Sequence, residues 1–450
     1  MKHKIRFTTT QLIMLSFLGA IFIGSILLSL PISSVGERVP YIDALFTATT
    51  SICVTGLVTV PTASTWSTFG HIVILFLIQI GGLGIITIVS AIMVILNKRI
   101  GMRDRILLQD TFNLNSLYGI VRFLKKVIIG TFLVEGAGAL LYMTIFVPEF
   151  GVKGIWISVF NAVSAFCNAG MDIIGENSLC DYKLNPMINT VTSLLIVLGG
   201  LGFIVWWDLL RVVKEIPKKK LKSFSGLTLQ SKIGLWTTGI LIFGGMLLVL
   251  IFDYHNPLTI GNYNFFDKLQ VSLFQSITTR TAGFATIPQE NLTNASSMIS
   301  LLLMFIGGSP VGTAGGVKTV TIAVLLCSAY ATITNKDDVE LFNRTISPQA
   351  VKKSVAVVAT SFCICFTSTV LLSAVCNADI LDIIYETVSA TATVGLSRNL
   401  TSTLNIWGKL IIIATMYLGR VGPISLVIAF TTKNQKTNII KNPTEEISVG

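Results

Sequence analysis

The stretch GGSPVGTAGGVKTV, Gly307 to Val320, looks more like a chemical motif than any other in the chain. In the pattern G-x-x-x-x-G-K-[ST], backbone N–H groups cradle phosphates and the Lys reaches the β- and γ-phosphates. Gly312, Lys318 and Thr319 fall in that register, but Val317 stands where the second Gly belongs. A phosphate loop also follows a strand and opens a helix of a soluble α/β unit. Here SLLLMFI precedes the glycines and TVTIAVLLCSAY follows them, so the stretch reads as a break in an apolar helix. Nothing else supports catalysis. His3, His71 and His255 sit in no H-x-x-x-H or Ser/His/Asp arrangement, and the seven Cys show neither a zinc spacing nor a disulfide framework. The chain is not expected to be an enzyme or to bind a cofactor.

Two charges stand where chemistry is expensive. Arg420 interrupts IIIATMYLGRVGPISLVIAF, and Glu135 interrupts TFLVEGAGALLY. An intramembrane Arg costs about 2.5–3.5 kcal/mol or more, which makes it a functional candidate by default. Glu135 reads as a structural hydrogen-bonding group rather than an ion carrier. The membrane itself follows from composition. Of 450 residues, 52% are hydrophobic and 12% charged, against about 25% charged in soluble domains. The net charge of +11 does not point to nucleic acid, because the basic residues cluster in short segments between long apolar runs, the positive-inside pattern. The apolar run near the N-terminus is about twenty residues, longer than a signal h-region of about 7–15. It reads as a retained first transmembrane helix.

Internal similarity organises the rest. DALFTATTSICVTGL, SVFNAVSAFCNAGM, LQVSLFQSITTRTAGF and DIIYETVSATATVGL each run from moderately apolar residues through a short polar step to a Gly and a bulky apolar residue. The glycines are Gly56, Gly170, Gly283 and Gly395, at intervals of 114, 113 and 112 residues. Ten residues before each stands Phe46, Phe160, Leu273 or Tyr385, and six before stands Thr50, Ser164, Ile277 or Ser389, so the third copy departs at both places. A long apolar run precedes each copy, and another follows that contains paired glycines: Gly81 and Gly82, Gly199 and Gly200, Gly307 and Gly308, Gly419 and Gly422.

A spanning helix needs about 20 apolar residues. The intermediate runs are about half that length, so each reads as a re-entrant half-helix. Irregular backbone at membrane depth must be buried in protein or face water. The expected fold is an all-α membrane protein of four tandem helix–pore-loop–helix repeats around one central pore, with eight transmembrane helices and four re-entrant half-helices. The repeats divide as 1–118, 119–227, 228–345 and 346–450. Asp43 and Asp267 are candidate N-caps of the first and third half-helices. Basic clusters at Lys2, Lys4 and Arg6, Lys98 and Arg99, Lys218 to Lys222, and Lys433, Lys436 and Lys441 put both termini and the inter-repeat loops in the cytoplasm, with the half-helices inserted from outside.

Four equivalent glycines at the ends of half-helices suit an ion path. A filter lines a narrow passage with carbonyls that replace the hydration shell. Pointing successive carbonyls one way needs backbone angles open mainly to Gly, and a helix C-terminus adds partial negative charge that favours a cation. One such motif alone would read as small-residue helix packing; four in register argue for a pore.

These motifs resemble the Trk/Ktr/HKT superfamily of potassium transporters, over essentially the whole chain. The first repeat starts almost at the N-terminus, without the two extra helices of Trk-type subunits, which points to the Ktr-type (KtrB-like) membrane subunit. The resemblance implies filter residues Val54, Thr55 and Gly56; Asn168, Ala169 and Gly170; Thr281, Ala282 and Gly283; and Thr393, Val394 and Gly395. Gly in all four copies implies potassium selectivity. It also implies an intramembrane gate in the third repeat, over 307–318, with Gly307, Gly308, Ser309, Pro310, Gly312, Thr313, Gly315, Gly316 and Lys318, and with Arg420 beside it below the filter. Further implications are a bacterial cell membrane, a homodimer, uptake of K+ aided by Na+, and a cytosolic nucleotide-binding regulatory ring (KtrA-like). The competing reading is an alternating-access secondary transporter for another cation or a small solute. Such carriers commonly show inverted repeats, whereas these four run in one orientation.

Overall fold

The computed structural model describes residues 8–96, 101–111, 118–219 and 224–422. Lys2, Lys4, Arg6, Lys98, Arg99, Lys220, Lys222, Lys433, Lys436 and Lys441, and with them both chain termini, lie outside the described residues, as do the side chains of Lys218 and Lys219.

The first repeat holds α1 (Thr9–Leu28), α2 (Tyr41–Cys53), the short α3 (Thr62–Thr65), α4 (Thr68–Leu83) and α5 (Ile85–Ile95), with α6 (Met102–Thr111) behind it. The second holds α7 (Ile120–Phe150), α8 (Lys153–Cys167), α9 (Pro186–Leu201) and α10 (Phe203–Lys219). The third holds α11 (Leu229–Asp253), α12 (Phe265–Thr278), α13 (Asn294–Phe305) and α14 (Thr319–Ile333), followed by a two-residue hairpin of β1 (Glu340–Leu341) and β2 (Arg344–Thr345). The fourth holds α15 (Pro348–Val375), α16 (Ile380–Ala392) and α17 (Ile406–Val421).

Local sequence explains where these helices start. Thr8 and Gln11 form a reciprocal capping box on α1, the Thr8 hydroxyl accepting from Gln11 N–H and the Gln11 amide from Thr8 N–H. Ser347 caps α15 with Pro348 at its first position. The long helices α1, α7, α11 and α15 are apolar enough to cross a bilayer. Their outward side chains, such as Phe132, Phe243 and Phe362, are exposed, as a lipid-facing surface requires.

The half-helices α2, α8, α12 and α16 have 13, 15, 14 and 13 residues. At ~1.5 Å per residue each covers roughly two-thirds of a ~30 Å hydrocarbon core. They are the most buried elements: Phe46, Phe160, Phe274 and Tyr385 are all enclosed. Neither expected acidic N-cap occurs. Pro40 precedes α2 and Asn264 precedes α12, and neither caps with a side chain. Asp43 and Asp267 lie inside the first turns, and Asp43 instead pairs with Lys409 at 2.5 Å.

The second helix of each of the first three repeats is interrupted. α4 and α5 meet at 95°, and α9 and α10 at 100°. The hinge residues are Gly84 (φ 87, ψ 137) and Gly202 (φ 85, ψ 142), in a backbone region that side chains disfavour. Gly422 ends α17 in the same conformation (φ 92, ψ 135), where the described residues stop. In the third repeat the interruption is longer, from Ile306 to Lys318. The expectation of one broken helix thus widens to three interruptions among the described residues.

Candidate ion-conducting site

The half-helices end in one repeated backbone pattern. Val54, Asn168, Thr281 and Thr393 are left-handed (φ 53, 59, 67 and 52), as are Gly56, Gly170, Gly283 and Gly395 (φ 98, 63, 80 and 98); the residue between them, Thr55, Ala169, Ala282 or Val394, is not. Alternating hand turns successive carbonyls to one side, the arrangement a carbonyl filter needs. A left-handed conformation costs a non-Gly residue about 1–2 kcal/mol. Three of these four first positions are β-branched, and strain of this kind collects at functional sites.

The four segments close on one another in order. A Cβ built on Gly56 would strike the Ala169 carbonyl oxygen; on Gly170, the Ala282 oxygen at 2.6 Å; on Gly283, the Val394 oxygen at 2.5 Å; and on Gly395, the Thr55 oxygen. Each glycine therefore lies against the middle carbonyl of the next repeat, and the fourth returns to the first. Four helix C-termini, each carrying roughly half a negative charge, converge on this ring.

Hydroxyls six residues before the glycines staple it. Thr50 Oγ1 accepts from Gly56 N–H at 2.9 Å and Ser389 Oγ from Gly395 N–H at 3.0 Å, while Ser164 bonds both backbone groups of Met171. The third copy departs by one residue rather than in kind. Phe274, nine residues before Gly283, is the buried aromatic there. Thr278, five before, donates to the Phe284 carbonyl at 2.6 Å.

The candidate gate residues lie directly beneath. Ile306 and Val317 form a parallel bridge that closes the neck of a loop, and Gly307 N–H donates to Val317 O at 2.9 Å. The loop's N–H groups find partners that another break has freed. α9 stops at the Gly202 bend, so the Gly199 and Gly200 carbonyls receive no helical N–H. Thr313 N–H donates to Gly199 O at 3.1 Å and Ser309 N–H to Gly200 O at 2.8 Å, while Phe203 N–H donates back to Val311 O at 2.9 Å. Two interruptions thus satisfy each other at membrane depth, with Pro310 O packed against Gly202. Thr313 Oγ1 also donates to Phe166 O at the end of α8 (2.9 Å), and Gly315 N–H donates to Thr281 Oγ1 (3.2 Å). Gly315 lies against Thr393, and Gly308 against Ala314 and Gly200. Gly312 packs on Gly199 and Gly202, and Gly316 at φ 65 returns the chain to the neck.

Arg420 joins three repeats. Its Nη1 donates to Thr313 O at 2.8 Å and its Nη2 to Gly81 O at 2.6 Å. Gly81 lies just before the Gly84 bend, so its carbonyl is free of a helical partner in the same way. Lys318 is the N-cap of α14, and its ammonium donates to Ala314 O. Sequence reasoning missed Arg280. It is buried on the residue before the third filter segment, and its Nη2 reaches Gly307 O at 3.2 Å and Thr238 Oγ1 at 3.4 Å. The signal was present, since an Arg among small and apolar pore-loop residues carries the same cost argument as Arg420. Glu135 lies behind the ring, accepting from Gln79 at 3.3 Å and from Cys167 at 3.8 Å. The arrangement sets a ring of backbone carbonyls, a suitable bed for a dehydrated cation, over a loop that two guanidiniums and an ammonium bind.

Comparison with known proteins agrees with this architecture. A family model described as TrkH, cation transport protein, matches residues 5–441. The chain is 39% identical to the potassium/sodium uptake protein NtpJ of Enterococcus hirae, covering 100% of this chain and 99% of that one. It is 38% identical to the Ktr system potassium uptake protein B of Bacillus subtilis, covering 99% and 98%. In fold it matches the crystal structure of the potassium transporter TrkH from Vibrio parahaemolyticus, with a TM-score of 0.75 at 17% identity over 96% of this chain and 86% of that one.

Proposed function

The chain belongs to the TrkH family of cation transport proteins, not to an enzyme family, and we propose that it is the potassium-conducting membrane subunit of a bacterial uptake system. The observation that carries this reading is the closed ring in which each of Gly56, Gly170, Gly283 and Gly395 lies against a carbonyl of the next repeat. A potassium ion enters from the side where the half-helices begin, which the charge pattern makes the cell exterior. It sheds water against the carbonyls of this ring, which the close contacts between repeats already hold in place, so little reorganisation is needed on binding. The helix C-termini favour positive charge, and Gly at all four places leaves room for a large bare ion.

The segment 307–318 is the gate. It blocks the path below the ring while Arg420 holds Thr313 O and Gly81 O, and release of those bonds opens the path. Both termini and the loops between repeats 1–118, 119–227, 228–345 and 346–450 face the cytoplasm. The name of the Bacillus relative, a Ktr system component, supports a multi-part assembly: here a homodimer on a cytosolic nucleotide-binding ring of the KtrA-like kind. The name of the Enterococcus relative supports sodium as a second or coupling ion.

The test is potassium uptake into cells lacking their own uptake systems, with rubidium and sodium as competitors. Saturable potassium uptake, inhibited by rubidium far more than by sodium, is the expected result. Uptake of a solute that is indifferent to potassium and rubidium would instead favour an alternating-access carrier.

A further inference from the structure

Arg280 is buried in the third repeat between the filter segment and the loop beneath it. It directly precedes Thr281, the first residue of that filter segment. Its guanidinium donates to the carbonyl of Gly307, where the loop leaves α13, and to the hydroxyl of Thr238 on α11. Gly307 also pairs through its N–H with Val317, where the loop returns. Arg280 therefore grips the neck of the loop, and Thr238 is the fixed post on the other side of the guanidinium. Arg420 takes hold elsewhere, at Thr313, from the fourth repeat.

We propose that Arg280 is a second clamp on the gate, a positioning residue that ties the neck of the 307–318 loop to the filter segment of its own repeat through Gly307 O, with Thr238 holding the guanidinium in place. This rests on the reading of that loop as the gate. The clamp has a consequence that Arg420 does not share. Arg280 and Thr281 are neighbours, and Thr281 Oγ1 also receives Gly315 N–H. The third filter segment therefore touches the loop at its neck and near its return, so loop opening must break contacts made by that one segment. The other filter segments make no such pair of hydrogen bonds to the loop among the described residues.

The experiment compares basal potassium flux, without regulatory partner, in proteoliposomes containing Arg280→Met, Arg280→Lys, Thr238→Val and Arg420→Ala, and in a variant with a shortened 307–316 loop. Loss of a charge-assisted hydrogen bond shifts an equilibrium by roughly tenfold or more. Arg280→Met should raise basal flux by about that factor, Arg280→Lys by less, and Thr238→Val in the same direction. Thr238→Val touches no filter residue, so its potassium/rubidium/sodium discrimination should stay wild type. In the shortened-loop background, Arg280→Met should add nothing further, whereas a residue that only stabilised the fold would still lower thermal stability and flux. If Arg280→Met fails to fold, Thr238→Val carries the test. The clamp is refuted if Thr238→Val and the folded Arg280 variants keep wild-type basal flux while Arg420→Ala and loop shortening raise it. If all of them leave flux unchanged, the gate reading falls and the clamp with it.

Discussion

Gly395 and Thr55, from the fourth and first repeats, meet so closely that a side chain on Gly395 would overlap the Thr55 carbonyl oxygen. This contact closes the ring that three sequential contacts begin. Further bonds join the same two repeats. Lys409 on α17 pairs with Asp43 on α2, and the Tyr417 hydroxyl donates to Met14 O at 3.0 Å. The chain thus becomes circular in space, and a fault at one glycine is felt by its neighbour's carbonyl.

Gly56→Ser should weaken discrimination between potassium and sodium by about tenfold, equivalent to ~1.4 kcal/mol. The new Cβ has no room beside Ala169 O, and φ 98 is strained for serine. The check is the flux ratio of the two ions in proteoliposomes. An unchanged ratio in the folded variant would remove Gly56 from the filter.

Potassium should stabilise the purified protein against heat more than sodium at equal concentration. A ligand that binds only the folded state at a hundredfold excess over its Kd adds about 2.7 kcal/mol. The differential should shrink in Gly56→Ser. Equal melting temperatures in both salts for the wild-type protein count against a selective ring.

Thr50→Val removes the acceptor for the buried Gly56 N–H and Ser389→Ala that for the part-buried Gly395 N–H. An unsatisfied buried donor costs about 1–3 kcal/mol, so both variants should melt earlier and lose part of the potassium effect. Ile277→Thr, at the corresponding sequence position of the third repeat, should gain nothing, because Thr278 already supplies the staple there.

Arg420→Ala should raise basal potassium flux while selectivity stays near wild type, since Arg420 bonds Thr313 O and Gly81 O rather than the glycine ring. Shortening the 307–316 loop should do the same. Deleting Phe342 and Asn343 from the exposed hairpin between β1 and β2 is the control and should leave flux unchanged. Equal flux in all three, measured in folded protein, would separate the loop from gating.

Lys409→Met should destabilise the fold by about 3–5 kcal/mol, because it leaves the Asp43 carboxylate buried without its cation. The double variant Asp43→Asn with Lys409→Met should recover much of that loss in a thermal-unfolding assay. Failure of the second change to rescue would mean that the bond does little to join the first and fourth repeats.

The sequence alone determined the repeated unit, the four glycines, the interruption at 307–318 and the place of Arg420 as a charge inside an apolar run. These are local signals: run lengths, residue types and a spacing near 113 residues survive without knowledge of neighbours. The tertiary structure decided what each signal touches. The partner of Gly395 lies in the first repeat, and the Thr313 N–H is satisfied by a carbonyl that only the bend at Gly202 sets free. The third repeat looked irregular at Leu273 and Ile277, because its turn from staple to glycine is one residue shorter than in the other copies, which moves the buried aromatic and the staple to Phe274 and Thr278. Asp43 looked like a cap, yet pairs with Lys409 from the far end of the chain. Arg280 carried a legible charge but no legible partner. Backbone groups broken out of helices must find partners across the fold, and composition and periodicity do not say which segment supplies them.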